Sequence, residues 1–235
     1  MAALHSTAPL PLVRGRDHTR RPSLPPGLDR ARNPETIQRI VAAAESIFAE
    51  QGVDGARTDA IARAARVNKA LLYYYFKSKE DLHRFTLQTL FGRMREQVGA
   101  AMEEAGGPRQ RLVSYVNGYF DFTVAHPNYP RLVQREVMGR GQSLHWIVHV
   151  YFGPLYRRLA STVRAGIARG EFRRVDPQNT ALTLIAMTVF YFAAAPVLGE
   201  LWRCNPLAPA RVAARRRSVL DFLEHGLFRQ GVRAP

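Results

Sequence analysis

The chain has 235 residues, 46% of them apolar, and a formal net charge of +15. That length supports one large or two small packed domains, and the composition is that of a folded protein, not a disordered one. The charge favours a polyanionic partner, nucleic acid or an anionic membrane surface. A single cysteine, Cys204, excludes an intramolecular disulfide and a cysteine-based zinc site, and fits a cytoplasmic location.

Residues 1–33 read as a basic tail. They hold Pro9, Pro11, Pro22, Pro25 and Pro26, six Arg against two Asp, and no periodic apolar pattern. Such a segment cannot bury enough surface to offset ordering. An Arg-rich, acid-poor leader also fits an organelle transit peptide, and a misplaced start codon is a third reading. No secretory signal is expected, because Pro9 and Pro11 interrupt the first apolar residues.

From Asn33 the pattern turns helical. Asn33 can cap, and Pro34 suits the first helical position. Ile37, Ile40, Val41, Ala44, Ile47 and Phe48 recur at three- and four-residue spacing, and Gly52 is a natural stop. A short second helix is expected over 58–65 with Ile61, Ala62 and Ala65 inward. Arg66-Val67-Asn68 then leads to a third helix ending near Phe76, with Leu72 and Phe76 on one face. Ser78 to Asp81 reads as a capping box that opens a fourth helix. Leu82, Phe85, Leu90, Met94, Val98 and Met102 carry that helix to Gly106-Gly107-Pro108.

Further helices are expected near 109–126, 128–138, 143–152, 154–169, 177–201 and 207–229. Between them stand Pro127, Gly139 with Gly141, Gly153-Pro154, Gly170, Asp176-Pro177 and Asn205-Pro206. Bounded period-two strands are absent from the pattern. The expected fold class is all-α: a small three-helix head joined through the fourth helix to a larger helical body.

Two short helices joined by three residues, with small Ala62 at their closest approach and Val67 and Leu72 as anchors, follow helix-turn-helix grammar. The second of them can project its N-terminal residues into a major groove. The groove-facing residues are then Asn68, Lys69, Ala70, Leu71, Tyr73 and Tyr74. Lys69 can donate to guanine, and Leu71 can touch a thymine methyl. Lys79 and the N–H groups that open the fourth helix stand where a phosphate could lie. Residues 57–79 hold Arg57, Arg63, Arg66, Lys69, Lys77 and Lys79 against Asp59 alone, whereas 34–82 as a whole is neutral, seven basic against seven acidic. The competing reading is a solvated basic surface on a helical hairpin.

The stretch Ile61-Ala62, then Val67-Asn68-Lys69-Ala70-Leu71-Leu72-Tyr73-Tyr74-Tyr75-Phe76-Lys77-Ser78-Lys79-Glu80-Asp81-Leu82, resembles the DNA-binding domain of the TetR/AcrR family of transcriptional regulators. Ala43-Ala44 and Phe48-Ala49-Glu50-Gln51-Gly52 are similar to the family's first helix. Gly170-Glu171-Phe172 with Asp176-Pro177 resembles the junction before its last two helices. The resemblance implies a helix-turn-helix at 57–76 in a DNA-binding domain at 34–95, and an effector-binding and dimerisation domain at 96–235. It implies phosphate contacts at Thr58, Tyr73 and Lys79, base reading by Asn68, Lys69, Ala70 and Leu71, and a further aromatic contact at Tyr74. Two positions depart from the pattern. Arg66 stands where a turn glycine is usual, at a cost of about 1 kcal/mol if the backbone there is left-handed, unless Arg66 serves a phosphate. Leu71 replaces a common hydroxyl residue.

The resemblance also implies a homodimer held by the last two helices, with Met187, Phe190, Tyr191, Ala194, Leu220, Leu223 and Leu227 as candidates. Twofold symmetry would set two reading helices about 34–36 Å apart on a palindromic operator. It further implies a pocket for a small-molecule effector, for which Phe91, Met94, Tyr115, Tyr119, Phe122, Trp146, His149, Phe152 and Tyr156 are candidates. Residue by residue, a plain core role competes with each.

Residues 177–199 carry no charge, and Ala181 to Leu198 is long enough to raise a membrane span. A helix apolar all round is more simply buried, so no membrane partner is expected. His145 and His149 have zinc-compatible spacing without further ligands, and no nucleophile elbow, P-loop or dinucleotide fingerprint occurs. No cofactor and no enzymatic activity are expected. The chain reads as a sequence-specific regulator, a repressor released from its operator by a small molecule. The alternative is a helical small-molecule-binding protein or enzyme whose basic head is incidental.

Overall fold

The computed structural model describes residues 33–138 and 143–229. The expected basic tail and the Gly139/Gly141 break lie outside the described residues, Asn33 excepted. Helix α1 (Pro34–Gly55) opens as its sequence dictates: Asn33 Oδ1 accepts the Thr36 N–H at 3.1 Å and Pro34 occupies the first turn. Its stripe of Ile37, Ile40, Val41, Ala44 and Phe48 is buried. Gly52 interrupts the regular helix at φ 71°, a left-handed conformation that a side chain would strain.

Helices α2 (Thr58–Ala64) and α3 (Lys69–Tyr75) follow, and Ile61, Ala62, Leu72, Tyr75 and Phe76 seal them onto α1 and α4 (Lys79–Glu104). At about 1.5 Å per residue, the 26-residue α4 is about 39 Å long. It runs unbroken across position 95, burying Leu82 and Leu87 towards the head and Phe91, Met94, Val98 and Met102 further along. In the body, α4 packs on α5 (Pro108–Ala125), and α5 on α8 (Gly153–Ala168). Helix α6 (Tyr129–Met138) reaches back to α1 and also touches α9 (Pro177–Ala193).

Three expected boundaries are corrected. Gly153-Pro154 does not separate two helices: α7 (Leu144–Ile147) passes through a π-helical turn, Val148–Phe152, directly into α8. There the Gly153 N–H donates to the Val148 carbonyl, five residues back. The wider turn accommodates Pro154, whose ring would press on a carbonyl in a regular α-helix. A Cβ on residue 153 would lie 3.0 Å from the Val148 oxygen, so glycine fits this turn best.

The expected helix 177–201 is two helices, α9 and α10 (Ala195–Trp202), bent by 67°. Pro196 lacks an N–H and disfavours helical backbone before it, so the chain breaks at Ala194 (φ −86°, ψ 7°). Among the described residues, no single helix is long and apolar enough to cross a membrane. Finally, α11 (Pro209–Phe222) ends in a π-helical turn, Leu223–Leu227, and Phe228 is extended. Phe228 forms an isolated antiparallel bridge with Phe172, and their rings stack at 5.1 Å.

Two adjacent α6 residues tie body to head. Arg135 Nε donates to the Ala49 carbonyl at 2.9 Å, and a second guanidinium nitrogen donates to that of Glu50, both near the end of α1. Glu136 meets His83 of α4 at 3.2 Å, with both side chains more than nine-tenths buried. The Phe48 ring closes on the imidazole edge-on at 4.8 Å.

Candidate nucleic-acid interface

The corner between α2 and α3 is built by backbone bonds. Val67 N–H donates to Ala62 O at 2.9 Å and Arg66 N–H to Arg63 O at 3.1 Å, which requires Arg66 to stand at φ 56°. The position is left-handed, so the strain anticipated for a non-glycine residue is present. Arg66 itself is exposed.

Helix α3 separates its two faces cleanly. Leu72, Tyr75 and Phe76 are buried, whereas Lys69 and Ala70 are exposed, with Tyr73 43% and Tyr74 52% exposed. An exposed tyrosine pair beside a buried apolar edge suits contact with a partner, because the rings gain little from solvent. Leu71 is half-buried against the core, which leaves only part of it to touch a base. Asn68 is exposed but already employed: its Oδ1 caps α3 by accepting the Leu71 N–H at 2.7 Å. Its amide N–H₂ remains the group that could face a base.

Two hydroxyls meet at one edge of this face, Thr58 Oγ1 and Tyr73 OH, 3.3 Å apart across fifteen residues. Arg57, exposed, stands immediately before them at the start of α2. Lys69 is held by Asp59 of α2 at 2.9 Å. The hydrogen bond and charge of Lys69 hold the Asp59 carboxyl below its usual range and push the ammonium up. Both groups are exposed, so the pair orients Lys69 more than it stabilises the head. Sequence reasoning noted Asp59 as the lone acid of the segment but missed it as the partner of Lys69. One turn of α2 against the first residue of α3 is the signal that could have found it.

At the start of α4, the Lys79 ammonium turns back onto the carbonyls of Asp54 and Ala56 at 3.1 and 3.2 Å.

The body candidates divide differently. Phe91, Met94, Tyr115, Tyr119 and Phe122 are fully buried and interlocked. The Phe91 ring lies 5.4 Å from Tyr129, 5.7 Å from Tyr151 and 5.6 Å from Phe152. Tyr115 OH meets Thr188 Oγ1 at 2.9 Å, and burial pushes the Tyr115 and Tyr119 phenols above their usual range. Trp146, Phe152 and Tyr156 are half-buried. His149 is exposed and stacks on His145 at 4.1 Å, outside the core.

A cavity of about 780 Å³ opens elsewhere, at the junction of head and body, between Phe48, Val53, His83, Leu132, Glu136 and Pro196 among others. It shares no residue with the nine pocket candidates. Its walls come from α1, α4, α6 and α10, a juxtaposition without a local sequence signal. Among the described residues no group of three or more His, Cys, Asp and Glu is arranged for a metal.

The dimer candidates are corrected in part. Tyr191, Leu223 and Leu227 are buried inside the subunit and cannot face a partner as the chain stands. Helix α9 turns Ala181, Leu184, Thr188, Tyr191 and Phe192 inward, so its opposite face carries Leu182, Ala186 and Phe190. Phe190 is 69% exposed, while Met187, Ala194 and Leu220 are half-buried. Sequence reasoning missed the exposed Leu182, Val197, Leu201, Trp202 and Phe222. Sorting α9 and α11 by helical face would have found Leu182 and Phe222.

The model for bacterial regulatory proteins of the tetR family matches residues 40–84, and that for the tetracyclin repressor-like C-terminal domain matches 108–223. The HTH-type transcriptional repressor SCO4008 of Streptomyces coelicolor is 31% identical over 174 residues, covering 73% of this chain and 85% of that protein. The HTH-type transcriptional repressor NicS of Pseudomonas putida is 27% identical over 161 residues, covering 67% and 75%. Among solved structures, the transcriptional regulator FadR from Bacillus subtilis in complex with stearoyl-CoA superposes with a TM-score of 0.65 at 20% identity, covering 80% of this chain and 98% of that one. That likeness is one of fold.

Proposed function

This chain belongs to the TetR family of DNA-binding transcriptional regulators, and we propose that it acts as a cytoplasmic, twofold dimeric repressor that leaves a palindromic operator when a small molecule occupies its body. The observation that carries the reading is the division of α3: Lys69, Ala70, Tyr73 and Tyr74 outward, Leu72, Tyr75 and Phe76 locked inward. A helix so held presents its outward residues without a further ordering cost.

In this proposal residues 34–95 bind DNA, while 96–235 bind the effector and the second subunit. Lys69 and the amide of Asn68 read base edges, the accessible part of Leu71 and Ala70 touches thymine methyls, and Arg57, Thr58, Tyr73 and Tyr74 hold the sugar-phosphate chain. Phe190, Leu182 and Phe222 centre the twofold contact. The repressor names of SCO4008 and NicS support repression over activation. The FadR complex, with stearoyl-CoA, supports a body that takes a small molecule. An effector acts only if it binds better to the form whose heads do not match the operator spacing.

Selecting bound fragments from the source genome tests the whole reading, with a recurrent twofold-symmetric motif as the expected result. Fragments without a shared palindrome defeat it. On the recovered site, Lys69→Ala with Tyr73→Phe lowers affinity by about tenfold or more and leaves the melting temperature in place. An unchanged affinity removes α3 as the reading helix.

A further inference from the structure

We propose that Asp59 and Lys69 act as one electrically neutral donor–acceptor couple, which reads the major-groove edge of a single G·C pair and gives nothing to phosphates. The inference rests on the DNA-binding reading of α2 and α3, and deepens it by making Asp59 a determinant of sequence specificity.

An acid is the wrong group for affinity on this face. Residues 57–79 hold six cations against Asp59 alone, and a carboxylate beside a polyanion weakens binding to every sequence. Nor does the fold need it. The side chains of Lys69 and Asp59 are 53% and 61% exposed, and so open an ion pair adds little to stability.

The carboxylate is nevertheless fixed. Asp59 Oδ1 stands 2.9 Å from Lys69 Nζ. Beside this pair Thr58 Oγ1 meets Tyr73 OH at 3.3 Å, a second link between the same two helices. The hydrogen bond from Lys69, helped by the charges of Lys69, Arg57 and Arg63, holds the Asp59 carboxyl below its usual range, and Asp59 in turn pushes the ammonium up. Both groups therefore stay charged at neutral pH.

The two halves of the couple match one base-pair edge. Guanine offers the acceptors N7 and O6, and the cytosine opposite offers its N4 amine as donor. O6 and N4 are hydrogen-bonded to each other, hence about 2.9 Å apart, the same separation as Asp59 Oδ1 and Lys69 Nζ. The ammonium keeps N–H groups for guanine, and the carboxylate keeps lone pairs for cytosine. An A·T pair sets thymine O4, an acceptor, where cytosine N4 stood, so the acid rejects it. A neutral couple also releases no counterion, which keeps Lys69 from strengthening contact with arbitrary sequence.

Titration of the full chain with the recovered operator and with a random-sequence duplex tests this. In Asp59→Ala the freed ammonium should find a phosphate. Binding to the random duplex should strengthen, and the slope of log K against log salt should steepen by about 0.9. Adding Lys69→Met should return the slope to the wild-type value, and Asp59→Glu, which keeps the charge, should hold it there. When the G·C pairs of an operator half-site are changed to A·T one at a time, one change should cost the wild type about tenfold more affinity than it costs Asp59→Ala. An unchanged slope in Asp59→Ala, or equal costs at every position, overturns the proposal.

Amine acetylation read by mass spectrometry checks the couple without DNA. The chain has only three lysines, Lys69, Lys77 and Lys79, so each is resolved. At low salt Lys69 should react about two- to fivefold faster in Asp59→Ala than in the wild type, with Lys77 unchanged. An unmoved Lys69 rate removes the pair and the proposal with it. A wild type without operator preference defeats the DNA reading itself, whereas a preference indifferent to Asp59 defeats this inference alone.

Discussion

Head and body solve opposite problems with the same kind of helix. The head, 34–82, is electrically neutral, seven basic against seven acidic, yet gathers six of its cations into 57–79 beside a single acid. The body segment 143–229 carries twelve Arg against five acids, and four of those Arg stand on α11, where Arg215 and Arg216 turn to the Met187 carbonyl and to Asp121 of the same subunit. Net charge alone would have pointed to the wrong half of the molecule. What marks the reading face is local asymmetry on a helix whose other side is buried. The head is also stitched by polar anchors from nearby residues, Asn33, Asn68 and Ser78 at three helix starts. The body is held by interlocking rings drawn from α4 to α9.

Three substitutions would break or sharpen this contrast. The largest effect is expected from Phe91→Ala, which empties the ring cluster and should cost about 3–5 kcal/mol of unfolding free energy. Chemical denaturation measures the loss. Duplex affinity of the protein that remains folded should stay within about twofold, and a collapse of DNA binding in parallel would erase the division between the two regions.

A smaller cost, about 1–3 kcal/mol, is expected from Glu136→Ala, which leaves the buried His83 without its partner. Because that pair joins α6 to α4, thermal unfolding should separate into an earlier head transition and a later body transition. A single unshifted transition would show that the pair does not link them.

The smallest effect concerns the α2–α3 corner. Arg66→Gly should relieve the left-handed strain at φ 56°, offset in large part by glycine's larger backbone entropy loss, for a net gain of up to about 0.5 kcal/mol. The melting temperature should rise by up to about 2 °C. If it falls, the arginine side chain holds the corner by contacts of its own.

The head was legible because its signals are short-range. Caps, a three-residue corner and small Ala62 each act within a turn or two of chain, so residue spacing is nearly sufficient. The Lys69–Asp59 pair was within reach of the same logic. The body was legible only as helices and breakers. Gly153-Pro154 failed as a break because a π-helical turn absorbs the proline, whereas Pro196 did bend its helix by 67°. No local rule separates the two prolines, since the outcome depends on what each neighbouring turn packs against.

By itself, then, the amino-acid order determined that the chain is helical, where α1 to α4 begin and end, and which edge of α3 faces outward. Periodicity and capping are properties of neighbours along the chain. The tertiary structure alone decided that Lys79 turns back to the end of α1, that Arg135 and Glu136 grip the head, and that Tyr191, Leu223 and Leu227 are spent inside one subunit. Each of those outcomes depends on groups far apart in the chain, or on how whole helices pack, and spacing along one helix carries no information about which distant helix will lie against it.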